Sequence, residues 1–137
     1  MPAASPVPPP QAMPMTDQRP QRGMASEQLA ADYLQVRGVE VLARNLKCKA
    51  GELDLVCLDH GVLAVIEVRQ RGSRAFGGAL ESVTWRKQRK IIRATRYLLH
   101  GRAEWHGRAV RFDVFAVEGP PDGAHRLVWV KDAFRPT

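Results

Sequence analysis

An α/β domain with the order helix, three strands, helix, strand is what this sequence predicts, and three observations carry that expectation. Two segments, Gly23 to Arg37 and Thr84 to His100, repeat apolar residues with the helical period and end at Gly38 and Gly101. Between them lie three β-rich runs, Val39 to Leu46, Leu53 to Leu58 and Val62 to Val68. A fourth run, Val110 to Val117, alternates strictly, with Val110, Phe112, Val114 and Ala116 on one face and Arg111, Asp113, Phe115 and Val117 on the other.

The 137 residues suffice for one domain, and 45% hydrophobic with 26% charged residues is the composition of a soluble globular protein. Residues 1–22 are rich in proline and show no apolar period, so we expect a disordered tail followed by one domain over 23–137. A basic start followed by a continuous apolar stretch is missing, and no run approaches membrane-spanning length, so we expect a cytoplasmic protein that does not enter a membrane. The formal charge of +7 favours a polyanionic partner, most simply nucleic acid.

In the first helix Leu29, Ala30, Tyr33 and Leu34 form the apolar arc, with Glu27 at its edge. Glu27 reads either as a boundary acid favoured by the helix dipole or as a carboxylate directed to a site. After the first strand, Lys47 to Gly51 reads as a basic loop, which would leave Cys48 exposed; Cys57 is expected in the core. The two cysteines and four histidines match no zinc spacing.

The organising stretch is Gly51 to Arg71, GELDLVCLDHGVLAVIEVRQR. Asp59-His60-Gly61 suits a tight hairpin, and a two-residue loop at His60-Gly61 sets Asp59 against Val62 and therefore Asp54 against Glu67. Directly opposed side chains have Cβ atoms about 5 Å apart, and like charges there destabilise the pair unless something neutralises them. Alternation adds Arg69 to the face of Glu67, opposite Glu52. An acid, acid, base cluster on strands suits a divalent cation; a solvated face with an Arg69–Glu52 ion pair suits the same residues.

Beyond the hairpin, Arg71 to Gly78 is polar and glycine-containing, and Arg71 and Arg74 could contact phosphates or only water. The second helix, capped by Thr84 or Ser82, gathers Arg86, Arg89, Lys90, Arg93, Arg96 and His100 on one side and Ile91, Ile92, Leu98 and Leu99 on the other. That basic side points away from the sheet and reads first as a solvated face. Gln88 falls in the apolar arc, with Lys87 at its margin, so the amide must be satisfied by backbone groups or by the acid cluster. Asp113 reads as an ion-pair residue, Pro120 to Gly123 as a turn, and Leu127 to Lys131 as a final edge strand. Trp85, Trp105 and Trp129 are assigned to packing.

The string GELD, then IEVRQR, FGGALESVTWRKQRK and RFDV resembles the YraN-like family of uncharacterised bacterial proteins, placed in the PD-(D/E)XK, or restriction-endonuclease-like, nuclease superfamily. The resemblance covers roughly residues 23–117 and implies an αβββαβ core, a mixed central sheet flanked by helices, similar to that of archaeal Holliday-junction resolvases. It further implies a metal-dependent endonuclease acting on DNA, with branched or structured DNA among the candidates, and Mg²⁺ or Mn²⁺ held by Asp54, Glu67 and, as a third carboxylate, Glu27. Arg69 stands where the superfamily motif usually has lysine, although arginine there is also seen among YraN-like sequences, and Gln88, in the Lys87-Gln88 pair that matches the family's KQ motif, would join the site. Arg71, Arg74, Lys87 and Lys90 would hold nucleic acid, and a homodimer stays open. The alternative is a nucleic-acid-binding module that keeps the nuclease fold with weak or no catalysis.

Overall fold

In a computed structural model of the chain, which describes residues 19–72 and 80–136, five strands form one mixed sheet with a helix on each face. The elements are α1 (Arg19–Val36), β1 (Glu40–Cys48), β2 (Gly51–Asp59), β3 (Val62–Arg71), α2 (Trp85–His100), β4 (Val110–Glu118) and β5 (Arg126–Phe134). Strand order in space follows the chain, β1-β2-β3-β4-β5. Among the described residues only the β3–β4 pair is parallel; the crossover between them carries α2, as a parallel connection requires. The expected mixed α/β architecture is therefore what the chain adopts.

Each strand of the sheet's middle is buried on both sides. The α2 face packs Val56, Leu63, Val65, Val114 and Ala116 against Val83, Ile91 and Ala94. The α1 face packs Leu55, Cys57, Ala64, Ile66, Phe115 and Val117 against Ala30 and Leu34. This explains why Leu63 to Ile66 is apolar without alternation: a strand covered by helices on both faces has no wet side.

Several boundaries differ from expectation. The first helix starts at Arg19, four residues inside the segment assigned to the tail, because Pro20 is compatible with a first helical turn, where its missing N–H removes no helical bond. The expectation for residues 1–18 lies outside the described residues, as does Arg74. The basic loop contracts to a turn at Lys49-Ala50 with Cys48 paired to Gly51, so Cys48 is half-buried in a strand and packs against the core. Arg71 likewise ends β3, paired with Glu118, and does not open a loop. Of the tryptophans, Trp105 is buried, but Trp85 is 67% exposed, which overturns its assignment to packing.

At the hairpin the expected register holds. Asp59 pairs with Val62, and His60 and Gly61 take positive φ of 51° and 85°, the conformation of a two-residue turn whose twist matches its strands. The second helix also starts and stops where expected: Thr84 Oγ1 accepts from the Lys87 N–H, and the Gly101 N–H closes on Leu98. At the far end of β3, Gly119 N–H donates to Arg71 O at 2.7 Å; a side chain at Gly119, with φ of 105°, would meet the Ala124 carbonyl at 2.5 Å.

Candidate active site

The ladder between β2 and β3 runs from Asp59–Val62 to Leu55–Ile66 and stops one residue short of Asp54 and Glu67. There the carboxylate of Asp54 takes over from the backbone, its Oδ2 accepting the Val68 N–H at 2.9 Å. Glu67, alternating with Leu63 and Val65, is on the α2 face of the sheet, and Asp54 lies within hydrogen-bonding reach of it.

Glu67 is 5% exposed. Burial and the Asp54 charge push its carboxyl up to about 7 against the pull of Lys87 and Arg69. Burial also raises Asp54, opposed by the Val68 N–H, Glu67 and Lys87. The two adjacent carboxyls therefore do not ionise independently, and each is raised above its ordinary value.

Two cations face Glu67. Arg69 Nη1 lies 3.4 Å from Oε2, and Lys87 Nζ lies 3.7 Å from the same oxygen. Arg69 thus pairs along its own strand with Glu67 and makes no ion pair with Glu52, which corrects the alternative considered for it. Lys87, expected at the nucleic-acid surface, reaches from the first turn of α2 to the acids and stays 37% exposed. Its neighbour Gln88 does the opposite of what the KQ motif implies, since Nε2 donates to the Val83 carbonyl at 3.1 Å and the amide makes no hydrogen bond to either acid. Val83 precedes the Thr84 cap, so its carbonyl lies outside the helix's own hydrogen-bond ladder and accepts from the Gln88 amide.

Glu27 comes from α1, across the sheet. Burial and then the charge of Asp54 raise its carboxyl, with the Asn45 side chain and Arg44 opposing. Its Oε1 is buried without a hydrogen-bond partner among the described residues. Even so, no three His, Cys, Asp or Glu side chains among the described residues group closely enough to enclose a metal ion. A cation here would rest on two carboxylates, with Glu27 behind Asp54 and the remaining positions open to water or phosphate. Such sparse protein ligation by hard oxygens suits Mg²⁺ or Mn²⁺.

Of the other candidates, Lys90 is exposed on the outward side of α2, and Arg71 ends β3 two residues beyond Arg69, beside Glu118 and Gly119.

A second charged cluster, at the opposite end of the sheet, has a different character. Asp113 is fully buried, and its carboxylate accepts both Nε and Nη2 of Arg111 at 2.8 Å, Trp129 Nε1 at 3.0 Å and the Asp132 N–H at 2.9 Å. Burial opposes ionisation of Asp59, yet hydrogen bonds from Arg111, His60 and Lys131 hold its carboxyl down at about 2. Every acceptor here is occupied, the mark of a structural lock, and Asp113 is the ion-pair residue expected of it.

Comparison with known proteins extends what the geometry shows. Residues 26–117 match the model of the uncharacterised protein family UPF0102. A UPF0102 protein of Pseudomonas putida is 45% identical over 112 residues, covering 82% of this chain and 91% of the relative. One from another strain of that species is 41% identical over 134 residues, 98% of each chain, and one from Pseudomonas syringae is 43% identical over 116 residues, 85% of this chain and 94% of the relative. With the family's motifs lying on the strands and helix that build this site, the chain belongs to the UPF0102, or YraN-like, family.

Proposed function

We propose that this protein is a metal-dependent endonuclease that hydrolyses phosphodiester bonds in DNA, with Asp54 and Glu67 as its Mg²⁺ or Mn²⁺ ligands. The observation that carries this reading is the pair of carboxylates from adjacent strands, Glu67 only 5% exposed, brought within hydrogen-bonding reach of each other beside Lys87. In the Asp113 cluster Arg111 stands between the acids, whereas Asp54 and Glu67 lie within hydrogen-bonding reach of each other, and the Oε1 of Glu27, whose carboxyl burial and the Asp54 charge raise, is buried without a partner among the described residues.

A metal at these oxygens supplies polarisation of a phosphoryl oxygen and a more acidic bound water. The chain's own groups do the rest. The Val68 N–H fixes the Asp54 carboxylate, so one ligand is oriented before substrate arrives. Arg69, 37% exposed, offers a planar fork to the phosphate and stays protonated, so it stabilises charge without moving a proton. Lys87 brings the one amine that faces both carboxylates among the described residues. An amine can release and take up a proton, so Lys87 is placed to hold the attacking water.

The test is cleavage of linear, nicked, flapped and four-way-junction DNA with Mg²⁺ or Mn²⁺, with Glu67→Ala as control. Cutting that depends on metal and on Glu67 supports the reading. A folded protein that cuts none of these substrates with either metal returns it to the class of nucleic-acid-binding modules, a reading that the two cations already beside Glu67 also favour.

A further inference from the structure

Helix α2, WRKQRKIIRATRYLLH, carries six Arg and Lys residues and no acid. Lys87 alone among them turns toward the sheet. Arg86, Arg89, Lys90, Arg93 and Arg96 are exposed, and none takes part in an ion pair among the described residues. Elsewhere the basic residues Arg69, Arg102, Arg111, Lys131 and Arg135 each stand beside an acid. Five cations without an ion pair among the described residues therefore stand together on one side of one helix.

This arrangement works against the helix that carries it. Like charges three and four residues apart repel by about 0.2–0.5 kcal/mol per pair, and Arg86 near the N-terminus opposes the dipole. The Thr84 cap and the burial of Ile91, Ile92, Ala94 and Thr95 hold the helix regardless. From Arg86 to Arg96 the cations span about 15 Å along the axis at 1.5 Å per residue. At one end the exposed Trp85 lies under the Arg89 guanidinium, 5.1 Å from its centroid; at the other Tyr97, 50% exposed, joins Arg93, Arg96 and His100 around an open hollow. Cations interleaved with exposed aromatic rings match a sugar-phosphate backbone with bases at its edge. A membrane surface fits less well, because a helix lying in a bilayer needs its apolar side free, and here that side is in the core.

We propose that the outward face of α2 is a second nucleic-acid surface, which holds backbone phosphates of a segment other than the one at Asp54 and Glu67. The two surfaces lie on opposite sides of the same helix, so one straight strand does not serve both; two arms or a strongly bent duplex do. The inference rests on the nucleic-acid reading above but not on catalysis.

The experiment measures affinity for a linear duplex and a four-way junction across a salt series, in chelator, for wild type and for Arg89→Gln/Arg93→Gln/Arg96→Gln. Each lost phosphate contact lowers the steepness of log affinity against log salt by about 0.9, so the triple variant should lose roughly 2 to 3 in slope. An Arg→Lys triple variant should keep the slope, and both variants should keep the wild-type thermal transition and Mn²⁺ binding. An unchanged slope in the glutamine variant overturns the proposal, even if the protein cleaves DNA. So does binding to phosphatidylserine vesicles that the glutamine variant abolishes while its DNA slope stays at the wild-type value. Absence of cleavage, by contrast, bears only on the catalytic reading, since no step here requires metal.

Discussion

Lys87 leaves the first turn of α2 and places Nζ 3.7 Å from Oε2 of Glu67, on a different element and twenty residues away in the chain. The strand position two residues after Glu67 holds arginine, so the helix provides the amine that the strand lacks. Lys87→Ala should lower single-turnover cleavage by on the order of a hundredfold or more while circular dichroism stays unchanged. Lys87→Arg keeps the charge but cannot exchange a proton, and should recover little. Full activity in the arginine variant would assign Lys87 to electrostatics alone.

For Arg69 the expected order is reversed. Arg69→Lys should retain part of the activity, because a cation stays near the phosphate, and Arg69→Ala should lose on the order of a hundredfold. An alanine variant that cuts as fast as wild type makes this residue structural.

Metal binding should be visible without any substrate. Titrating Mn²⁺ by calorimetry should give binding to wild type and not to Glu67→Ala, and saturating Mn²⁺ should raise the wild-type unfolding temperature, since only the native state presents the paired oxygens. Equal heats for both proteins would move the cation elsewhere.

In chelator, stability should fall as pH rises from about 5 to 8. The ordinary value for Glu67 is 4.5, and burial with the neighbouring Asp54 moves it to about 7. Between those values the native state keeps a proton that the unfolded state has released, so rising pH favours unfolding, by on the order of 2 kcal/mol across the window. Asp59, held down at about 2, acts with the opposite sign but only in more acid solution. Denaturant unfolding at three pH values tests this, and Glu67→Gln should flatten the dependence. A rise in stability over the same window would show that the pair is fully compensated.

At the other end of the sheet, Asp113→Ala should destabilise the fold by about 3–5 kcal/mol, because the partly buried Arg111 guanidinium loses its bidentate partner along with the Trp129 and Asp132 donors. Mn²⁺ binding at 25 °C should persist if the variant folds. Loss of metal binding in a variant that unfolds cooperatively would couple the two clusters.

What the sequence made legible was local. The Asp59-His60-Gly61 turn set the register that brings Asp54 to Glu67, and Thr84 and Gly101 marked α2 within a residue. What escaped depended on reach and on distant partners. A helical wheel gives the direction of a Cβ, so it placed Lys87 at a margin without showing that four methylenes carry its amine to Glu67. The same wheel put Gln88 in the apolar arc without revealing that the Val83 carbonyl would claim it. The Asp113 lock joins Asp59, Arg111 and Trp129 from three strands, and no window of sequence contains it.

The parallel seam between β3 and β4 also orders events in time. The β2–β3 hairpin closes over two residues, a process on the order of microseconds, and with it Asp54 and Glu67 meet. Lys87 belongs to the crossover, and β4 docks only after that long segment has looped back, the slower step for any non-local pairing. A chain emerging from synthesis therefore forms its acid pair before the amine that partners it arrives. If a divalent cation binds these two carboxylates as proposed, it also favours the hairpin that brings them together before the crossover has docked.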